Sequence, residues 1–270
     1  GGYDWVNLES NPIDDNGHGT HCAGIAAATI NNAIGIAGVS NVSFIAEKVL
    51  DSGGNGYISD AISAIEHSVD FGVDVISMSF GCYPYSTALK NACDYAMNNG
   101  VTLVAAAGND GIDTIMYPAR FSNVISVGAI DQSDSLCDFS NYGSDLDVVA
   151  PGLNIYSTYP DNQYVQLSGT SMACPHVSGL AALIKSEFYN ITNDQLVEKI
   201  KQNSVDLGDP GKDELYGYGK INVNKSVHQN PPTASFIYLP SDWDDRTTIK
   251  FIDKSFDSEH QIVNWSWDFD

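Results

Sequence analysis

Short apolar runs alternate with helical segments along most of this chain, and this alternation limits the fold more than any other feature. The runs are rich in β-branched residues and lack a polar face, which is typical of strands covered on both sides. This order fits a mostly parallel sheet with helices on both faces, so we predict an α/β fold of three layers. The predicted strands span residues 42–50, 73–80, 101–107, 124–130 and 146–150, and the predicted helices span residues 18–29, 59–71, 86–98, 171–188 and 193–203.

Charge excludes several classes of partner. The chain has 270 residues, with 12 Lys and Arg against 34 Asp and Glu, for a formal net charge of −22. Phosphate groups would be repelled, so we expect neither a nucleic acid nor an anionic membrane surface as partner. No apolar run approaches the roughly 18 residues that a membrane span needs. The acidic balance is compatible with cation binding and with a secreted, extracellular protein, and secretion is what we expect.

Composition changes at residues 229–232, which read Gln-Asn-Pro-Pro. Helical patterns stop there, and the residues that follow read as short strands rich in aromatic side chains. We therefore predict one domain over residues 1–228, a linker over 229–232 and a second unit over 233–270. About forty residues are too few for an independent β-sandwich, so we expect the second unit to be incomplete.

The five cysteines include no C-x-x-C pair, which argues against a zinc cluster. Cys82 and Cys93 are the pair that we would join first, although the sequence alone cannot establish their separation. Cys22 comes one helical turn after a histidine, at His18, and should lie beneath it as a structural thiol.

His18 lies in the segment N-G-H-G-T-H-C-A-G, residues 16–24, at the start of a helix of small residues. A histidine between glycines at a helix start is accessible and suits general-base chemistry, while a capping or core histidine is the alternative. The H-x-x-H spacing also hints at a metal. A zinc protease of that type would need Glu directly after the first His, so metal catalysis is disfavoured.

Two further segments suggest oxyanion chemistry. Ser171, in L-S-G-T-S-M-A-C-P-H-V-S-G over residues 167–179, opens a long apolar helix whose N-terminus favours negative charge. Taken alone, Ser171 would be better explained as a capping serine. Asn109 follows a buried strand at the edge where ligands bind in open α/β sheets, and its amide can donate to an oxyanion. A turn-forming Asn is the alternative there.

Together these three segments resemble the subtilisin-like serine proteases (subtilases, peptidase family S8), in order and in flanking residues, over roughly residues 1–226. The resemblance implies a subtilisin-like three-layer fold and a protease. It implies His18 as general base, Ser171 as nucleophile, and Asn109 with the Ser171 backbone N–H as the oxyanion hole. His21 would be structural.

The same resemblance implies where a polypeptide substrate binds. Met116 would lie at the base of the S1 pocket and favour medium apolar P1 residues, because Met fills part of the pocket yet adapts its shape. Ile58 would lie at the S4 position. An edge segment would pair with the extended substrate backbone. The S1 walls would be Ser79, Phe80, Gly81, Ala106, Ala107 and Gly108, and the edge segment would be Gly54, Asn55 and Gly56.

The acid of a Ser-His-Asp triad is the part of the pattern that is missing. The family places it upstream of the His, on an apolar strand that ends in D-[ST]-G. Asp4, Asp14 and Asp15 are the upstream candidates, and none has that context. Asp51 does precede Ser-Gly, but it lies after His18, so we reject it. We expect the catalytic Asp to lie outside this fragment and the fragment alone to be inactive or severely impaired.

Calcium is the cofactor that the resemblance suggests. Residues 30–36 look like the family loop that wraps a structural Ca²⁺, with oxygen ligands at alternating positions as a hard cation prefers. An ordinary apolar surface loop is an equally good interpretation. The ligands would be the Asn32 side chain and the carbonyls of Ile30, Ile34 and Ile36.

The residues after the linker have a resemblance of their own. Residues 231–236, 251–258 and 265–270, which ends W-S-W-D-F-D, look like the start of a polycystic-kidney-disease (PKD) domain, a β-sandwich. The fragment ends inside that motif. We expect a monomer, with the PKD region available for contacts with other proteins or surfaces.

Three functions are compatible with these patterns to different degrees. The leading one is a secreted serine endopeptidase that works through an acyl-enzyme. A catalytically silent binding or adhesion module with the same fold is the alternative, although the presence of His18, Ser171 and Asn109 argues against it. A lipase-like hydrolase would need a G-x-S-x-G elbow, and Ala173 stands where the second Gly belongs.

Overall fold

The structure is a computed structural model that describes residues 1–227, 236–239 and 250–253. The chain divides into two compact units, Gly1–Val227 and His228–Asp270. In the first unit the helices are α1 His18–Ala27, α2 Ile58–Phe71, α3 Thr87–Asn98, α4 Thr170–Glu187, α5 Asn193–Asn203 and α6 Val223–Val227. Its strands are β1 Gly2–Asp4, β2 Ala46–Lys48, β3 Val75–Met78, β4 Thr102–Ala106, β5 Ile125–Ile130, β6 Val148–Pro151, β7 Ile155–Tyr159 and β8 Gln163–Leu167.

A parallel sheet in the order β3-β4-β5-β6 forms the centre of the first unit. Every residue of β4 and β5 is buried, because helices cover both faces. Val104 and Ala106 pack with α4 and α5 on one face, while Leu103 and Ala105 pack with α2 and α3 on the other. This alternation is the period of two expected of a strand. The α/β fold with a mostly parallel sheet is thus confirmed.

The predicted helices agree with the structure to within two residues at each end. The strand predicted over 42–50 is shorter, because Val42 and Phe44 remain exposed and only Ala46–Lys48 pairs, in parallel, with β1. The antiparallel hairpin of β7 and β8 was not predicted. Its residues mix buried and exposed positions without strict alternation, so the sequence carries no clear strand period there.

The proposed disulfide between Cys82 and Cys93 is wrong, because all five cysteines are free thiols. Cys93 is fully buried in α3. Cys82 instead lies on the segment after β3, where its thiol donates to the Pro84 carbonyl at 3.6 Å.

In the second unit, β9 Phe236–Leu239 pairs antiparallel with β10 Lys250–Asp253, so that Phe236 faces Asp253. Most of the residues that carry the PKD resemblance, including 254–258 and 265–270, lie outside the described residues. None of the helices described in the structure is long and apolar enough to cross a membrane.

Candidate active site

His18 is the first residue of α1, and the preceding turn fixes that start. Gly17 has φ +97°, a left-handed conformation that favours glycine, and an added Cβ would collide with the Tyr159 ring. The Asp14 carboxylate accepts hydrogen bonds from the Gly17 N–H at 2.7 Å and from the Thr20 N–H at 2.7 Å. Asp14 therefore satisfies N–H groups that a helix start would otherwise leave unpaired.

The environment of His18 keeps its imidazole neutral near pH 7. Burial lowers its pKa, the Asp14 carboxylate raises it, and His21 lowers it, with a net decrease from 6.5. A neutral imidazole can accept a proton, as a general base must. Among the described residues, no group forms a hydrogen bond with the His18 ring. The orientation of the ring is therefore not fixed by a hydrogen bond from these residues.

His21 lies one turn further along α1 and is fully buried. Its Nε2 lies 3.0 Å from the Ile155 carbonyl and 3.2 Å from that of Val165, which ties α1 to both strands of the β7–β8 hairpin. This contact agrees with the structural role that we expected.

Ser171 lies in the first turn of α4, where backbone N–H groups have no partner within the helix. The residue is half-buried, and its Oγ donates to the Ser79 carbonyl at 3.2 Å. Ser79 follows β3, so the end of an edge strand of the parallel sheet holds the hydroxyl.

Asn109 follows β4 at the same edge of the sheet, next to the start of α4. Its Oδ1 accepts hydrogen bonds from the Thr170 N–H at 2.7 Å and the Thr170 hydroxyl at 2.9 Å. Because the oxygen is engaged, the amide NH₂ is left to donate. A Cβ built on Gly169 would lie 3.5 Å from Asn109 Nδ2 and 3.6 Å from the Ser171 nitrogen. Both expected oxyanion donors therefore border the same small space.

Helices α1 and α4 pack against each other and bring the two motifs together. The Cys22 thiol, one turn after His18, donates to the Ser171 carbonyl at 3.3 Å. Burial raises the pKa of Cys22 to about 12, so the sulfur remains a protonated donor. The helical spacing predicts Cys22 beneath His18, but it does not predict this contact with Ser171.

The expected S1 walls and base also come together. Met116 donates its N–H to the Ala107 carbonyl at 3.0 Å. Its side chain fills the space between two glycines, since a Cβ on Gly81 would approach Met116 Cβ to 2.9 Å and one on Gly108 would approach Met116 Cγ to 3.0 Å. The segments Ser79–Phe80–Gly81 and Ala106–Ala107–Gly108 thus flank Met116. One residue further along the chain, the peptide bond between Tyr117 and Pro118 is cis.

The expected edge segment lies in an exposed loop before α2. The loop closes through a hydrogen bond from the Asp51 N–H to the Asn55 carbonyl at 2.7 Å, and Gly54 and Gly56 flank Asn55. Asn16 Nδ2 donates to the Ser52 carbonyl at 2.9 Å, which connects this loop to the turn before His18. Ile58, the expected S4 residue, is the first residue of α2 and is 37% exposed.

The four aspartates considered as the triad acid are all engaged elsewhere. Asp4 accepts from the N–H groups of residues 6 and 7, and Asp15 pairs with Lys48 at 2.8 Å. Asp51 accepts from the N–H groups of residues 53 and 55. Asp14 is near enough to influence His18 electrostatically, but its oxygens accept from the turn and from Thr20. None of the four accepts a hydrogen bond from His18 in the described contacts.

The loop over residues 30–36 has an unusual backbone. Asn31, Ala33 and Gly35 alternate in the left-handed region, each at φ +59°. Asn32 Oδ1 accepts from the Ile34 N–H at 3.0 Å, and the Ile34 side chain is 67% exposed. No cluster of three or more His, Cys, Asp or Glu side chains suited to a metal was found among the described residues. Any cation bound here would rely on carbonyl and amide oxygens.

Comparison with known families and proteins agrees with this geometry. The profile of the subtilase family, Peptidase_S8, matches residues 2–219. A thermophilic serine proteinase of Bacillus sp. (strain AK1) is 48% identical over 227 residues, which are 84% of this chain and 56% of that protein. This chain therefore spans little more than half of that relative.

Two shorter relatives are covered more fully. Subtilisin DY of Bacillus licheniformis is 47% identical over 84% of this chain and 83% of its own length. Thermitase of Thermoactinomyces vulgaris is 45% identical over 84% of this chain and 80% of its own length. Among solved structures, a lanthipeptide protease aligns with a TM-score of 0.76 and 26% identity, over 84% of this chain and 79% of that chain.

Proposed function

The chain belongs to the subtilase family, and on that premise we propose that it is a serine endopeptidase that works through an acyl-enzyme. The observation that carries the proposal is the convergence of Ser171, Asn109 and the helix of His18 at one edge of the sheet. Relatives named as subtilisins and serine proteinases support the same activity.

In the proposed mechanism, the Ser171 hydroxyl attacks the peptide carbonyl while His18 takes its proton. His18 then donates the proton to the leaving amine, which departs and leaves the acyl-enzyme. Water, deprotonated by His18 in the same way, attacks the acyl-enzyme and releases the acid product. Asn109 Nδ2 and the Ser171 N–H donate to the negative oxygen of the tetrahedral intermediate. The engaged Oδ1 of Asn109 supports this role, because it keeps the donor side of the amide facing the site.

We propose that the triad acid is supplied by a segment outside residues 1–270. The hydrogen bonds of Asp4, Asp14, Asp15 and Asp51 support this, since each carboxylate already has other donors. The sheet offers a place for such a segment. Among the described strands β3 pairs only with β4 and β2 only with β1, so each has a free edge. A further parallel strand can pair with such an edge.

The substrate is proposed to be a polypeptide whose P1 side chain enters the pocket between Ser79–Gly81 and Ala106–Gly108. Met116 occupies part of that space, so medium apolar P1 residues should fit better than Tyr or Trp. The exposed edge segment of Gly54, Asn55 and Gly56 would pair with the substrate backbone, with Ile58 at the S4 position.

Calcium binding by the loop over residues 30–36 is a separate proposal. Left-handed φ values at Asn31 and Ala33 cost energy in non-glycine residues, and a bound cation would offset that cost. Asn32 Oδ1 and the carbonyls of Ile30, Ile34 and Ile36 would be the ligands, and the ion would stabilise the fold. Chelation should then lower the melting temperature, and Asn32→Ala should remove that dependence.

The remaining proposals concern the whole protein. We propose that the enzyme is secreted and monomeric, with a catalytic domain over 1–228, a linker over 229–232 and a PKD-like unit over 233–270. That unit would contact other proteins or surfaces.

Labelling with a fluorophosphonate probe tests the central proposal. The probe should attach to Ser171, and Ser171→Ala should abolish labelling, because only an activated serine reacts. Absence of labelling both alone and with the acid-bearing segment added would favour a catalytically silent module with this fold.

A further inference from the structure

A proline sits inside the helix that begins at the proposed nucleophile. Pro175 lies four residues after Ser171 in α4, and proline has no backbone N–H. The Ser171 carbonyl therefore cannot accept the helical hydrogen bond that position 175 would otherwise donate. Left unpaired in this half-buried place, the carbonyl would destabilise the site.

Two side chains from other elements donate to that carbonyl instead. Ser79 Oγ donates to the Ser171 oxygen at 2.9 Å, and Cys22 Sγ donates to the same oxygen at 3.3 Å. The bond to Ser79 is reciprocal, since Ser171 Oγ donates to the Ser79 carbonyl at 3.2 Å. One carbonyl thus joins three parts of the site: the nucleophile, the wall after β3 and the helix of His18.

We propose that Ser79 and Cys22 are positioning residues that hold Ser171 by the carbonyl that Pro175 leaves free. This inference rests on the proposed function of Ser171. We call the pair of donors the carbonyl clamp. It fixes the backbone of the residue that carries both the attacking hydroxyl and an oxyanion donor. Through Cys22 it also sets the spacing between Ser171 and the helix of His18.

Each donor should partly compensate for the loss of the other, and a double-mutant cycle measures this compensation. The readout is the phosphonylation of Ser171 by a fluorophosphonate under saturating conditions, in which the serine oxygen bonds to phosphorus and fluoride leaves. Cys22→Ala and Ser79→Ala should each lower the maximal rate about threefold to tenfold, since one donor remains. Cys22→Ala should leave the probe's apparent affinity unchanged. The double variant, which strips the carbonyl of both donors, should fall by more than the product of the two single losses.

Cys93→Ala is the matched control for loss of a buried thiol. Cys93 is fully buried in α3, in the core cluster on the α2 and α3 face of the sheet, whereas α4 packs in the cluster on the other face. Cys93→Ala should lower the melting temperature about as much as Cys22→Ala but change the phosphonylation rate less than about twofold.

Pro175→Ala gives a rescue that a merely structural role does not predict. The substitution returns an N–H at the position from which a helix donates to the Ser171 carbonyl. In the double variant it should restore the rate at least about tenfold, and in the otherwise unchanged chain it should bring no comparable gain. Independent losses in the double variant, or failure of the rescue, would overturn the clamp.

An infrared measurement separates this inference from the proposed function. The S–H stretch of Cys22, found by subtracting the Cys22→Ala spectrum, should show a hydrogen-bonded thiol and should shift on Ser79→Ala. If Ser171 never reacts but this band behaves as stated, the function fails and the clamp stands as structure. A band typical of a free thiol would refute the clamp whatever the activity.

Discussion

The two helix starts that carry the proposed catalytic pair are supported very differently. At the start of α4, the ends of β3 and β4 supply Ser79 and Asn109, which hydrogen-bond to residues 170 and 171. At the start of α1, Asp14 and Asn16 bond to the backbone of the turn, and no hydrogen bond to the His18 ring is present among the described residues. At the start of α4, the nucleophile end, hydrogen bonds therefore hold both the backbone and the side chains. At the start of α1, the base end, they hold the backbone but not the His18 ring.

This difference separates two tasks that catalysis combines. A helix start can place a histidine in space, but fixing its tautomer and ring orientation needs a hydrogen-bond partner on the ring itself. This contrast can be tested at each end of the pair.

The largest expected effect comes from completing the base end. Adding a segment that carries an apolar strand and a D-[ST]-G sequence should raise peptide turnover by about 3 × 10⁴-fold, the loss known in subtilisin itself when the acid alone is removed. Activity of residues 1–270 alone and with the added segment is the measurement. An ordinary subtilase turnover without any addition would place the acid within the chain and make Asp51 a candidate again.

The next effect comes from damaging the nucleophile end. Asn109→Ala removes a proposed oxyanion donor and should lower kcat about 10²–10³-fold, the range known for such a donor in subtilisin. KM should change little, because the contact strengthens only in the transition state. Steady-state kinetics of the completed enzyme measure this. Asn99→Ala, in the turn after α3, is the matched control and should leave kcat unchanged; equal losses in both variants would contradict the assignment.

Met116 tests the pocket beside the nucleophile. Met116→Gly should enlarge the space between Gly81 and Gly108 and raise kcat/KM for Tyr at P1 about tenfold relative to Leu. Profiling both proteins on a library of P1 residues gives the ratio. A best P1 of Tyr or Trp in the unchanged protein would contradict the role assigned to Met116.

Asp14 tests the backbone support of the base end. Asp14→Asn replaces an acceptor of four hydrogen bonds with an amide that cannot make them all, so the free energy of unfolding should fall by about 1–2 kcal/mol. It should also lower the pKa of His18 further, since the carboxylate raises that pKa. Urea denaturation and NMR titration measure the two effects. Asp15→Asn, whose carboxylate pairs with the mostly buried Lys48, should leave the pKa of His18 unchanged and cost less stability, because Lys48 also donates to the Leu50 carbonyl at 2.6 Å.

The smallest expected effect is the change in the free energy of unfolding as the pH falls from neutrality. Burial lowers the pKa of His18, His21 and His176 below 6.5 in the folded chain. The unfolded chain therefore binds protons first as the pH falls through about 6.5, so the free energy of unfolding should decrease from pH 7 to pH 5. Below pH 3.8 a second loss should follow, because hydrogen bonds from Thr20 and the turn outweigh burial and lower the pKa of Asp14. Urea midpoints that stay constant between pH 8 and pH 5 would contradict the first stage.

Much of the fold could be predicted because the hydrophobic pattern of a segment indicates whether one or both of its faces are buried. Residues 101–107 and 124–130 are apolar without a polar face, and the structure buries both between two helical layers. The β7–β8 hairpin escaped prediction because its side chains follow no clear period, and β1 escaped because only three of its residues pair.

Which residues are available for chemistry follows from local conformational rules that a few neighbouring residues decide. His18 comes after a left-handed glycine, Ser171 lies in the first turn of a helix, and Asn109 follows a buried strand. What those residues touch depends on the packing of distant elements. Cys22 and Ser79 are 149 and 92 residues from Ser171 along the chain, yet both reach its carbonyl. The sequence signal for that contact is Pro175, because proline has no backbone N–H to donate to the Ser171 carbonyl. The side chains that donate instead are set by how α1, α4 and β3 pack.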